Sequence, residues 1–186
     1  ANKEVEYKKP EVVVVINPFV GQIRVQVNPL FVRGRYRKLV RDIPQSKWFC
    51  SGCRGKGCVK CNWSGKLYSE SVEELVSKPL LVAAVGEKTA FHASGREDID
   101  ARMLGTGRPF VLEISKPRKR LLDLKKLEAE VNDGAKGKVK VSRLQFTNKD
   151  VVRRLKKGES AQKEYRMLVE FEHPVSAENL LLLGEK

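Results

Sequence analysis

No stretch of the chain approaches the run of about 18 apolar residues that crosses a lipid bilayer. Residues 1–10 are charged and lack the apolar region of a secretory signal peptide. The sequence also has no internal repeat and no low-complexity tract. These absences argue against a membrane-spanning protein and against a secreted one. They predict a cytoplasmic protein without a membrane partner.

Acidic residues are scarce relative to basic ones. The 186 residues include 37 Lys and Arg but only 23 Asp and Glu, which leaves a formal net charge of +14 at pH 7. A cationic excess of this size attracts polyanions, so nucleic acid is the leading class of partner. Hydrophobic residues make up 41% of the chain, which is enough to build an ordinary core and argues against disorder over the whole length.

Hydrophobic patterning predicts short strands and helices without a regular βαβ alternation. Strands are predicted at residues 12–16, 23–27, 80–85, 110–114, 139–144 and 165–171, the first two forming a hairpin. Helices are predicted at residues 71–77, 121–131 and 150–157, and the start of another at residues 176–183. An extended basic segment is expected at residues 33–41 and an irregular stretch at residues 95–107. The expected fold class is α+β, with a mixed, mostly antiparallel sheet and flanking helices.

All four cysteines lie in one twelve-residue stretch that contains two C-x-x-C motifs separated by four residues. Cys50, Cys53, Cys58 and Cys61 offer four thiolates for the tetrahedral coordination that Zn²⁺ favours. The preferred interpretation is a structural zinc ion in a loop at residues 48–66, with no open position for catalysis. Two disulfides, four free thiols and an iron–sulfur cluster are the alternatives. Disulfides suit secreted chains, and the spacing differs from that of ferredoxin motifs.

A second pattern is the segment 94–110, which combines three acidic residues, three arginines and three glycines between two predicted strands. Irregular segments of this kind often carry functional side chains, although a solvated charged loop has the same composition. One enzymatic interpretation makes Glu97, Asp98 and Asp100 the Mg²⁺ ligands of a nuclease. The three neighbouring arginines argue against that metal site.

The same segment resembles the active-site motif of the Pus10 family of tRNA pseudouridine synthases. Residues 95–110 read Gly-Arg-Glu-Asp-Ile-Asp-Ala-Arg-Met-Leu-Gly-Thr-Gly-Arg-Pro-Phe, and the match is long and nearly unbroken. Residues 28–45 and 71–75 are similar to segments that flank the motif in that family. Residues 163–166, Lys-Glu-Tyr-Arg, resemble its later tyrosine motif. The cysteine loop looks like an insertion carried by archaeal members.

The resemblance implies a pseudouridine synthase fold and an isomerase that acts on uridine 54, uridine 55 or both in the TΨC loop of tRNA. It implies that Asp98 is the catalytic carboxylate, that Arg96 pairs with it and helps displace the base, and that Tyr165 stacks on the uracil. The reaction breaks the C1′–N1 bond, turns the base and rejoins it through C5, and it needs no small-molecule cofactor.

Full-length members of the family carry an upstream THUMP-containing domain and a basic segment after the tyrosine motif. Residues 1–186 are therefore expected to be a catalytic core that is truncated at both ends. The missing segments would supply two further active-site residues, so this fragment is not expected to be self-sufficient.

Dense basic clusters supply the predicted tRNA-binding residues. They are expected to lie on a phosphate-contacting surface, because groups of charges are too costly to bury. The predicted set is Arg33, Arg35, Arg37, Lys38, Arg41, Arg102, Arg108, Arg153 and Arg154, with Lys156 and Lys157 beside the last two. The competing interpretation is a noncatalytic zinc-containing RNA-binding module. An Asp beside an Arg in a glycine-rich turn favours the enzyme.

Overall fold

The computed structural model describes residues 10–157 and 164–184. The strands are β1 (Val12–Asn17), β2 (Gln22–Val27), β3 (Leu30–Lys38), β4 (Lys88–Ala93), β5 (Met103–Ser115) and β6 (Val139–Thr147). The helices are α1 (Val72–Ala84), α2 (Leu124–Gly134), α3 (Lys149–Lys157) and α4 (Ala177–Gly184). None of these helices, in the two ranges just given, is long and apolar enough to cross a membrane.

Two antiparallel sheets form the β-structure of the described residues. Strands β1 and β2 form the hairpin that the sequence predicts. The main sheet has the order β4–β5–β3–β6, and all of its pairings are antiparallel. This architecture confirms the α+β class and the antiparallel sheet.

Strand β3 carries apolar core residues on one face of the main sheet and arginines on the other. Successive side chains of a strand point to opposite faces. Val32 and Tyr36 lie in the main hydrophobic core, which the buried residues of α1 and α2 complete. The opposite face carries Arg33, Arg35 and Arg37.

Helix α3 packs on the same face as these arginines. Its Val152 belongs to a small apolar cluster with Phe31 of β3 and Val111 of β5. Phe31 is an odd-numbered residue of β3, like the three arginines, so it shares their face of the sheet. The basic helix and the arginine row therefore occupy one side of the molecule.

The prediction of a strand at residues 80–85 is wrong, because α1 continues through Pro79 to Ala84. A proline inside a helix removes one backbone donor and disfavours the helical conformation of the preceding residue. The stretch nevertheless presents a continuous buried stripe at four-residue intervals, formed by Val72, Val76, Leu80 and Ala84. Burial of this stripe in the core outweighs the local cost of the proline.

Three further differences from the sequence predictions concern strands. The sequence patterns miss β4, and β5 begins at Met103, so residues 103–107 of the expected irregular stretch are part of a strand. The strand predicted at residues 165–171 is wrong. Residues 164–171 have no regular secondary structure, and their side chains are exposed. No strand in the described ranges pairs with them.

Candidate active site and metal centre

The loop between β4 and β5 brings Asp98 and Arg96 to the edge of a small depression. Its volume is about 150 Å³, and it is lined by residues 96–99 together with Pro44, Gln45 and Trp48 from the connection after β3. Asp98 and Arg96 are both exposed. The structure thus brings two of the three predicted catalytic residues together in one concave site that solvent can reach.

Glu97, which lies between these two residues in sequence, is buried beneath the depression. The hydroxyl of Tyr36 donates to Glu97 Oε2 at 2.7 Å. The amide of Gln45 donates to the Tyr36 hydroxyl at 2.8 Å and to the carbonyl of Gly95 at 3.0 Å. Burial, followed by the negative charge of Glu97, raises the pKa of the Tyr36 phenol. The phenol therefore remains a donor that fixes the buried carboxylate.

Arg108 compensates the buried charge of Glu97. Its Nε lies 2.9 Å from Glu97 Oε2 as an ion pair without hydrogen-bond geometry, and its Nη1 donates to the carbonyl of Ser94. The prediction that Arg108 contacts RNA is wrong, because the residue is only 8% exposed. Among the described residues, Arg96 and Asp98 do not form the predicted ion pair. The arginine–carboxylate pair of this motif is Arg108 with Glu97.

Lys38 is fully buried, so the prediction that it contributes to an RNA-binding surface is also wrong. Its Nζ donates to the carbonyls of Ile43 at 3.0 Å, Asp98 at 2.8 Å and Ile99 at 3.0 Å. Desolvation lowers the pKa of this amine, which the charges of Glu97 and other carboxylates partly counter. Lys38 therefore ties the main chain of the Asp98 loop to the connection after β3.

Replacing Lys38 by methionine should destabilise the fold by about 3 kcal/mol, because the change removes three hydrogen bonds from a charged donor. Lys140→Met on β6 is the matched control, since that lysine is exposed, and its effect should stay within about 0.5 kcal/mol. Urea denaturation measures both changes in unfolding free energy. Equally small losses in the two variants would contradict the structural role of Lys38.

The four cysteines are arranged as the ligands of one metal ion. Their sulfur atoms all lie within 4.8 Å of one another. The Sγ separations are 3.9 Å for Cys50–Cys58, 3.8 Å for Cys53–Cys61 and 3.7 Å for Cys58–Cys61. Sulfurs at the corners of a tetrahedron with metal–sulfur bonds of about 2.3 Å lie about 3.8 Å apart. The distances fit a tetrahedral ion, and all four thiols are free of disulfides.

The backbone closes the cysteine loop at its base and also supports the sulfurs. A bridge pairs Phe49 with Lys66, and the amide of Cys50 donates to the carbonyl of Gly65 at 2.9 Å. Desolvation raises the pKa of Cys61, but hydrogen bonds, chiefly from the backbone amides of Cys58 and Gly65, bring it down to about 6. These amides favour a thiolate at this position.

The carboxylates of the segment 94–110 do not form a second metal site. In the part of the chain that the structure describes, the cysteines are the one close group of potential metal ligands. The carboxylate of Glu97 accepts a hydrogen bond from Tyr36 and forms an ion pair with Arg108. The interpretation of Glu97, Asp98 and Asp100 as Mg²⁺ ligands is therefore wrong.

The remaining basic residues lie outside the depression. Arg33 is exposed and donates to Gln145 Oε1 at 2.6 Å, whereas half-buried Arg35 donates to the carbonyls of Thr106 and Gly107. The other basic residues of the predicted set are exposed or partly exposed, namely Arg37, Arg41, Arg102, Arg153, Arg154, Lys156 and Lys157. Most of the predicted basic set is therefore accessible to a polyanion.

Tyr165 stands apart from the other two predicted catalytic residues. It is 78% exposed. Within the described ranges it is not among the residues that line the depression around Asp98. The structure does not bring this tyrosine to Asp98 and Arg96.

Sequence reasoning missed several residues that build the site. The strand pattern of β3 contained the signal, because Tyr36 and Lys38 alternate with arginines at the period of a core-facing row. A basic side chain at such a position is tied to the interior rather than to solvent. Gln45 and Trp48 gave no such signal, since only the fold brings their segment beside Asp98.

Comparison with known proteins places the chain in a family. A family model described as Pus10, C-terminal, matches residues 31–186. A tRNA pseudouridine synthase Pus10 from Methanothermobacter marburgensis is 51% identical over 183 residues, which cover 96% of this chain and 45% of that protein. The protein of the same name from Methanocaldococcus jannaschii is 50% identical over 186 residues, covering 100% of this chain and 40% of that protein. The chain thus spans less than half the length of these relatives. The extent of the family match and these identities confirm the resemblance drawn from residues 95–110, and the chain belongs to the Pus10 family.

Proposed function

We propose that this chain is the catalytic core of a longer tRNA pseudouridine synthase. In this proposal the enzyme isomerises uridine 54, uridine 55 or both in the TΨC loop of tRNA, with Asp98 as the catalytic carboxylate. The relatives are named for tRNA pseudouridine synthesis. The proposal extends that activity to this chain and assigns it to the depression around Asp98.

The observation that carries the proposal is the contrast between the two neighbouring carboxylates. Glu97 is buried and bound by Tyr36 and Arg108, so it serves the structure. Asp98 has its main chain fixed by Lys38, while its side chain is exposed at the depression. A carboxylate with a rigid backbone and a free side chain suits a reacting group.

The proposed roles follow from the chemistry of the isomerisation. The glycosidic C1′–N1 bond breaks, the base turns, and C5 bonds to C1′, with loss of the C5 proton and protonation of N1. Asp98 acts as the nucleophile or base in these steps. Arg96 lies beside it to help displace the base, and Tyr165 approaches from its exposed segment to stack on the extruded uracil. No oxidant, reductant or second substrate is consumed, because product and substrate are isomers.

Asp98→Asn in the full-length protein should lower isomerisation of unmodified tRNA by at least about a thousandfold, because the variant has neither nucleophile nor base. Its affinity for tRNA should change by less than about twofold, since basic contacts dominate binding. Asp100→Asn is the matched control, an exposed aspartate of the same loop, and it should remain active. Pseudouridine mapping and filter binding measure the two properties. Near-normal product with Asp98→Asn would contradict the assignment of Asp98 as the catalytic carboxylate. No product from the unaltered protein would instead favour the noncatalytic RNA-binding module.

We propose that tRNA phosphates bind the face of the sheet that carries the arginine row and α3. Arg33, Arg37 and the exposed cations of α3 lie on this side of the molecule. Arg41 and Arg102 are also exposed, near the ends of β3 and the Asp98 loop. The fully buried Lys38 and the buried Arg108 do not belong to this surface.

Charge reversal of Arg153 and Arg154 to glutamate should weaken tRNA binding and flatten its salt dependence. If about five side chains neutralise phosphates, log affinity should fall with log salt at a slope of about −4, and each lost contact should reduce that slope by about 1. Lys125→Glu with Lys126→Glu is the control, because α2 lies on the other face of the sheet. Fluorescence anisotropy at several salt concentrations measures the slopes. An unchanged slope in the Arg153/Arg154 variant would remove α3 from the RNA-binding face.

We propose that the cysteine loop binds one structural zinc ion and that residues 48–66 are an inserted zinc-binding loop. Four thiolate ligands at tetrahedral separations are the donor set that zinc favours, and they leave no open position for catalysis. Cys50, Cys53, Cys58 and Cys61 would hold the ion. When bound, zinc would supply a fixed cross-link for a loop that has little core of its own.

Protein purified without chelator should contain one zinc per chain, as measured by elemental analysis. Cys58→Ser should lose the metal, whereas Ser51→Ala in the same loop should keep it. Chelation should increase hydrogen exchange within residues 48–66 but leave β3 and β5 protected, because the loop lies outside the main sheet. Less than half an equivalent of zinc, or one equivalent of iron, would reject the zinc assignment.

A further inference from the structure

The depression around Asp98 has one aromatic wall. Among the described residues that line it, Trp48 is the only aromatic one, and 38% of its surface is exposed. Tyr165, the aromatic residue that the motif suggests, is not part of this lining. A flat base that enters the depression would therefore meet the indole of Trp48 as well as the segment that carries Asp98.

Trp48 is held in a defined position. Its carbonyl accepts a hydrogen bond from the amide of Leu67 at 2.9 Å. Its ring meets that of Tyr68 edge to face, with centroids 5.7 Å apart and an interplanar angle of 76°. These contacts fix both the backbone and the ring plane while part of the side chain stays accessible. A preset aromatic surface loses little conformational entropy when a base stacks on it.

The cysteine loop holds Trp48 in this position. Trp48 and Leu67 lie directly outside the Phe49–Lys66 bridge that closes the loop, and Cys50 follows two residues later. The stem is also anchored to the start of α1, where the amide of Glu73 donates to the carbonyl of Gln45. The loop is thus positioned to contribute to the active site through its stem.

We propose that Trp48 is a substrate-binding residue whose indole stacks on the nucleobase that enters the Asp98 depression. The inference rests on the proposed function, since it takes the base to be the target uridine or its immediate neighbour. Stacking on an aromatic side chain offsets the cost of removing a base from its stack. Trp48 then acts on binding of the base, whereas Asp98 carries the chemistry.

A double-mutant cycle between the side chain and the base tests the proposal in the full-length protein. Trp48→Ala is compared with the unaltered protein on tRNA that carries uridine and on tRNA that is abasic at position 54, 55 or both. The Asp98→Asn background prevents turnover during the measurement. Trp63→Ala is the matched control, because Trp63 is 74% exposed on the same loop and does not line the depression.

Trp48→Ala should weaken binding of the uridine-containing tRNA by about fivefold to a hundredfold and leave binding of the abasic tRNA nearly unchanged. Trp48→Phe should retain most of the discrimination, and Trp63→Ala should not alter it. Equal loss of affinity for both RNAs, or no loss for either, would overturn the proposal. Trp48→Leu, which keeps apolar bulk without an aromatic face, replaces Trp48→Ala in the same cycle if the alanine variant does not fold.

Failure of this inference and failure of the proposed function would give different results. Loss of isomerisation in Asp98→Asn without any coupling between Trp48 and the base would reject this inference alone. Absence of isomerisation in the unaltered protein would instead reject the proposed function.

Discussion

The geometry of the site depends on the hydrogen bonds that the buried ammonium of Lys38 donates. It joins the end of β3 to two loops by hydrogen bonds to the carbonyls of Ile43, Asp98 and Ile99. Burying a lone cation is costly unless such partners surround it. Because the partners are main-chain atoms, the side chain of Asp98 is free to face the depression. The fold thus fixes the position of Asp98 without using its carboxylate.

A second buried group supports the same loop from the other side of the motif. Tyr36 donates a hydrogen bond to Glu97, Gln45 donates one to Tyr36, and Arg108 balances the charge of Glu97 beneath the surface. Neighbouring residues of the motif therefore have different roles. Residues 96 and 98 are exposed, and residue 97 is buried. Glycine is needed at position 107 for the backbone to pass close to Tyr36. Gly107 has a φ of +77°, and a Cβ there would lie 2.7 Å from the carbonyl oxygen of Tyr36. Rigid support of this kind precedes any chemistry at Asp98.

Sequence patterns predicted the parts of the molecule that depend on local signals. Hairpin β1–β2, strand β6, the capping serine of α1 and the four-cysteine group all follow from residue spacing. The patterns failed where tertiary burial decides, as in the continuation of α1 through Pro79. They also failed for Lys38 and Arg108, because charge alone does not tell a solvated cation from a buried one with compensating partners. Trp48 joins the site only through the folded position of its segment.

If Asp98 and Trp48 act as proposed, the depression that they line receives the base of a uridine. A crystal structure of the full-length Asp98→Asn protein bound to unmodified tRNA tests this claim most directly. We predict a uridine turned out of the TΨC loop, with its base against Trp48 and its C1′ next to the side chain of residue 98. Bound tRNA whose bases all lie away from the depression would contradict the proposed roles of Asp98 and Trp48.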